Sequence, residues 1–97
     1  MADAVVPDRG HVQVVLAQAL VALFPGCPMR LTVTAASVSQ LIDALDQQWP
    51  GMADRLRDSA PAVRRHINVF CEGRRLVLAD PLTPGATVYI LTSVSGG

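Results

Sequence analysis

The periodicity of one segment limits everything around it. In Ser37-Val38-Ser39-Gln40 a serine hydroxyl and a glutamine side chain are spaced to satisfy the free backbone amides of a helix start, the capping-box arrangement. Val38, Leu41, Ile42, Leu45 and Trp49 then recur at helical spacing as a single apolar stripe, with Asp43, Asp46 and Gln47 on the other side. Pro50-Gly51 stops the run. A one-sided helix needs an apolar surface to lie on, and the rest of the chain offers period-two segments rather than a second long helix. The expected fold is therefore α+β, a sheet with one face under the helix. Asp43 and Asp46 read as parts of a solvated helix face, not as catalytic carboxylates.

Around that helix the chain divides readily. Residues 1–10 hold two aspartates, a proline and a glycine without periodicity, and read as a flexible leader. Val12, Val14 and Leu16 alternate onto one face of a first strand beginning at His11 or Val12. Ala17 to Phe24 stays apolar and fits either more strand or a helical turn. Pro25-Gly26-Cys27-Pro28 breaks the chain, and Met29 to Thr34 gives a second strand, so the first two strands form a hairpin with a longish loop. Past the main helix, Gly51 to Asp58 suggests a short second helical turn with Met52 and Leu56 inward. Ser59 to Val63 is loop, and Arg64-Arg65-His66 leads into a third strand, Ile67 to Cys71. Glu72-Gly73 is a turn, Arg74 to Val77 a short returning strand, and Asp80 to Gly85 a loop dense in turn residues. Val88-Tyr89-Ile90-Leu91 is an unbroken β-favouring run, read as a last strand buried on both faces.

Composition removes several classes of function. With 97 residues the chain is one domain, and 51% hydrophobic residues supply a core without metals or disulfides. A formal net charge of zero and four aromatic residues (Phe24, Trp49, Phe70, Tyr89) argue against nucleic acid, which asks for basic surface and stacking platforms. Cys27 and Cys71 are too few for a zinc or iron–sulfur site made of thiolates, and read as free structural thiols. His11 and His66 have no acidic or cysteine partner at ligand spacing, so no metal site is expected. The start lacks the positive region and long apolar run of a secretory signal. Val12 to Phe24 is too short to cross a bilayer, so the expected location is cytoplasmic, with no membrane partner.

The last residues change character. After the β-favouring run come small residues and then Gly96-Gly97. Glycine in such a place marks a bend or a point where another surface comes very close. With no later segment to turn back, the reading is a free tail, residues 94–97, whose terminal carboxylate enters another protein's site; residues 11–93 form the domain.

The order hairpin, helix, hairpin, last strand resembles the β-grasp architecture of ubiquitin: a mixed four- to five-stranded sheet covered by one main helix, with a free C-terminal tail. Within it the chain is similar to the ubiquitin-like sulfur carriers, the MoaD and ThiS family. The residues that carry the likeness are Val38-Ser39-Gln40-Leu41-Ile42-Asp43-Ala44-Leu45, Ile67-Asn68-Val69, Pro81-Leu82-Thr83-Pro84-Gly85-Ala86-Thr87-Val88 and Leu91-Thr92-Ser93-Val94-Ser95-Gly96-Gly97. The segment Gly51 to Asp58, the basic lead-in and Ile67-Asn68-Val69 look most like the CysO-type branch, whose members supply sulfur for cysteine synthesis. Coverage runs from about residue 11 to residue 97. Two features depart from the pattern: Thr92-Ser93 stands where many members have Pro-Pro or Pro-Ala, and the leader is longer than in the minimal carriers.

The resemblance implies a protein cosubstrate rather than an enzyme. An ATP-dependent, E1-like enzyme would adenylate the Gly97 carboxylate, and a sulfur donor would displace AMP to leave a C-terminal thiocarboxylate. ATP would belong to the activating enzyme, and the chain itself would bind no cofactor. A sulfur-accepting synthase and a metalloprotease that trims the product complete the implied partners. The chemistry suits these residues. An ionised carboxylate is a poor electrophile, and a channel that excludes water from the adenylate admits Gly96 and Gly97 because neither carries a Cβ. With Val94 and Ser95 the tail reaches ~13 Å when extended. The resemblance also implies partner recognition on the sheet face that the helix leaves uncovered. Phe70, Leu76, Leu91 and Val94 are the candidates there, with Arg74 and Arg75 at the rim. The pathway stays open between cysteine, molybdopterin, thiamine and a specialised metabolite. Two other readings stay open as well: a protein modifier that forms isopeptide bonds through Gly97, and a plain β-grasp binding module.

Overall fold

The computed structural model describes residues 10–58 and 62–92; the leader up to residue 9, Ser59 to Pro61 and the tail from Ser93 onward lie outside the described residues. Eight elements follow in order: β1 (His11–Leu16), α1 (Gln18–Val21), β2 (Arg30–Thr34), α2 (Val38–Gln48), α3 (Met52–Leu56), β3 (Ile67–Cys71), β4 (Arg74–Leu76) and β5 (Thr87–Thr92). The strands form one sheet in the order β2-β1-β5-β3-β4. β1 and β5 run parallel at its middle, and every other neighbouring pair is antiparallel. The last strand in sequence thus takes the central position between the two hairpins, and the mixed sheet has all five strands. The expected β-grasp, ubiquitin-like architecture is the one observed.

The main helix starts as its sequence dictates. Ser37 Oγ accepts from the backbone N–H of Gln40 at 3.1 Å. The Gln40 side chain reaches one residue further back than a standard capping box, its Oε1 accepting from Ala36 N–H at 2.9 Å. Val38, Leu41, Ile42 and Leu45 are fully buried against the sheet. Asp46 is more than a solvated charge: its Oδ1 accepts from the N–H groups of Gly51 and Ala53, both at 3.0 Å, and so caps the start of α3. Gly51 makes that second start possible, since its φ of 100° favours a residue without Cβ. Asp43 is paired with Arg57 across the α2–α3 corner.

The ambiguous stretch after β1 resolves as the short helix α1. The sheet ladder ends where Ala17 N–H reaches the Ile90 carbonyl at 2.9 Å, and the chain then turns to put only Leu20 into the core. Val12, Val14 and Leu16 from β1 meet Val88 and Ile90 from β5, Val69 from β3 and the stripe of α2. Met52 and Leu56 of α3 are fully buried, and no charged or polar residue is buried among the described residues. The expectation that β5 is buried on both faces is corrected. Val88 and Ile90 are 0% exposed, whereas Tyr89 is 41% and Leu91 39% exposed. The physical reason is that the helices lie on one side of the sheet, so a central strand alternates like its neighbours.

Candidate partner-binding face

The pairing registers assemble the outer sheet face residue by residue. Arg30 lies opposite Val15, Val15 opposite Tyr89, Tyr89 opposite Phe70, and Phe70 opposite Arg75. One row therefore crosses all five strands, with apolar and aromatic side chains at the centre and a guanidinium at each end. Directly opposed residues share a face, so this row belongs to the side away from α2. Leu91, opposite Asn68, extends the apolar centre along β5 toward the residues that follow Thr92. Exposed apolar groups that adjoin in this way, with charges at the rim, are the form that interaction sites take.

Of the expected partner residues, the face brings together Phe70, Leu91 and Arg75. Two others lie elsewhere. Leu76 is 3% exposed, opposite Val69 on the helix side, and is a core residue. Arg74 lies opposite Cys71, also on the helix side. There it borders a small cleft of about 220 Å³ lined by Cys71, Glu72, Arg74, Leu76, Pro81, Leu82, Thr83 and Ala86. Neighbours on a strand point to opposite faces, so Arg74 and Arg75 cannot both flank the open side. Val94, Ser95, Gly96 and Gly97 lie outside the described residues.

Three members of the row were not expected. Val15 sits between Val14 and Leu16, both assigned inward, so alternation alone was a signal for it. Tyr89 was hidden by reading β5 as doubly buried. Arg30 belongs to the row only through β1–β2 pairing, a register no local pattern supplies.

Burial pushes the Cys27 thiol up. Burial also pushes the Cys71 thiol up, with the Glu72 charge acting the same way and Arg74 opposing it. A raised thiol pKa keeps sulfur protonated near neutrality, the opposite of an activated nucleophile. Both cysteines are free. His11 lies opposite Thr34, and His66 is exposed just before β3. Among the described residues no three His, Cys, Asp or Glu side chains gather as a metal site, and no helix is long and apolar enough to cross a membrane.

A five-stranded mixed sheet with the last strand central, one long helix across one face and an exposed apolar centre on the other defines the chain as a ubiquitin-like β-grasp domain. Solved structures agree over almost the whole domain. SAMP1 from Haloferax volcanii matches with a TM-score of 0.75 at 24% identity, covering 91% of this chain and 100% of that one. A chain of the BexX/CysO complex from Amycolatopsis orientalis matches with a TM-score of 0.77 at 24% identity, covering 89% and 99%. CysO from Mycobacterium tuberculosis, described as an antigen, gives 0.75 at 22% identity over 86% and 99%. At these identities the fold is what is shared. No protein-family model matches the chain, and no curated protein matches it.

Proposed function

We propose that the chain is a sulfur carrier: its Gly97 carboxylate is adenylated by an E1-like enzyme and converted to a thiocarboxylate that donates sulfur in a biosynthetic pathway. The observation that carries this reading is the place of β5. The last strand is the central one, and its outward residues Tyr89 and Leu91 form the middle of the exposed face. A partner that grips that face therefore sits beside the strand from which residues 93–97 continue. The chain then acts as a protein cosubstrate and needs no catalytic residue of its own. ATP serves the activating enzyme, the AMP leaving group makes the carboxylate reactive, and Gly96-Gly97 suits a narrow channel. ATP-driven activation places the carrier in the cytoplasm, where a sulfur-accepting synthase and a product-trimming metalloprotease are its further partners. The likeness to CysO structures favours cysteine or a specialised sulfur metabolite as the destination.

The modifier reading has one observation of its own, because a structural neighbour is a small archaeal modifier protein. One experiment separates the two. The chain is produced in its native host, or with its adenylating enzyme, ATP and a sulfide source, and its intact mass is recorded. A mass gain equal to oxygen replaced by sulfur, lost on alkaline hydrolysis and absent in Gly97→Ala, is the expected result. Lysine-linked conjugates without the thiocarboxylate would favour the modifier. An unmodified mass under all conditions would refute both.

A further inference from the structure

The arginines outside the strands are held differently. Arg57 is committed: it pairs with Asp43 and also donates to the Ser39 carbonyl. Arg55, Arg64 and Arg65 are exposed, and Arg64 and Arg65 lie just before β3. Arg55 and Arg64 line an open hollow of about 570 Å³ together with Gly51, Asp54, His66 and Ile67. The Arg64 Nε–H donates to the Asp54 backbone carbonyl at 2.5 Å, and the residue stays exposed. Asp54 is the one carboxylate in the lining, and Asp58 on the same turn is already engaged. The position of this cluster matters because Ile67, which follows His66, is the register partner of Thr92. The basic residues therefore lie at the end of the sheet where β5 reaches Thr92.

We propose that Arg55, Arg64 and Arg65 form a cationic collar at the root of the C-terminal segment, which docks against a carboxylate-lined surface on the enzyme that loads Gly97. This contact is separate from the apolar row: Arg30 and Arg75 flank the open face, whereas the collar lies beside α3 and the β3 start. It rests on the carrier reading and adds an electrostatic element to it. Exposed guanidinium groups clustered on a chain of zero net charge steer encounter with an acidic patch and fix the approach of the tail.

The test uses the full chain and the native host's adenylating enzyme, followed by ATP–pyrophosphate exchange that depends on the chain. If the wild-type chain supports no exchange, the carrier reading itself fails. If it does, the double variant Arg55→Gln/Arg65→Gln is expected to raise the half-saturating concentration about three- to tenfold at low salt. That difference should shrink toward unity by about 0.5 M salt, where exposed charges are screened. Neither arginine has a hydrogen bond that the fold needs, and the thermal midpoint should stay with the wild type. A shift below about twofold, or one that persists unchanged in high salt, would overturn the collar. The Arg55→Lys/Arg65→Lys variant is expected to restore half-saturation, and failure to do so would also overturn it.

Discussion

Adjacent residues of β5 give the sharpest test of the two-faced sheet. Ile90 is 0% exposed, opposite Leu16 and Val69, while Tyr89 is 41% exposed, opposite Val15 and Phe70. Ile90→Ala removes three carbons from the core, worth about 0.8 kcal/mol each in transfer terms, and leaves a cavity in the most constrained strand. The expected loss is about 3–4 kcal/mol, or roughly 12–30 °C in Tm for a domain of this size. Tyr89→Ala removes a larger side chain but only a half-buried one. Partial burial and one cross-strand pair put its loss at about 1–1.5 kcal/mol. Urea unfolding followed by the fluorescence of Trp49, the single tryptophan, measures both. The functional order should invert: Tyr89→Ala weakens saturation of the adenylating enzyme by tenfold or more, as an aromatic anchor at an interface does. Ile90→Ala, assayed below its Tm, leaves saturation nearly unchanged. If Tyr89→Ala destabilises as much as Ile90→Ala and leaves saturation unaltered, the outer row is core and the argument for a docking face fails.

Two further outcomes follow from the structure. Ser37→Ala should cost about 1 kcal/mol by freeing the Gln40 amide, and Ser37→Asp should restore most of it; urea midpoints with an unchanged m-value would show both. The two thiols have pKa values raised in the folded state, so the unfolded chain ionises first as pH rises. Their stabilising contribution is complete below the unfolded value of about 8.5 and falls as pH climbs through the folded values. Urea midpoints at neutral and alkaline pH should decline accordingly, and Cys27→Ala/Cys71→Ala should lessen that decline; a wild-type midpoint that rises over the interval would contradict it.

Local chemistry made the elements readable. A capping serine, an apolar stripe and a Pro-Gly stop are all short-range signals, and α2 begins and ends close to where they place it. Alternation did the same for β1 and β2, and the Glu72-Gly73 turn, with positive φ at both residues, for the β3–β4 hairpin. Ala17 to Phe24 resisted because an apolar run of that length satisfies both periods. What decided it was tertiary: the last ladder bond to Ile90 and a single buried leucine.

The functional face was half legible for a related reason. Which residues are apolar is local information, but which side of the sheet they occupy depends on register. Between β3 and β4 one residue of alternation separates a rim arginine, Arg75, from Arg74 on the helix side, and sends Leu76 inward. Between β1 and β5 the pairing is parallel and joins the two ends of the sequence, so no turn chemistry could announce it. Yet that pairing sets Val15 beside Tyr89 and puts the last strand at the centre. The β3–β5 register in turn brings Thr92 to Ile67, and with it the end of β5 to the arginines that precede β3. Residues that adjoin at this end of the sheet are thus distant along the chain, and only the register makes them neighbours.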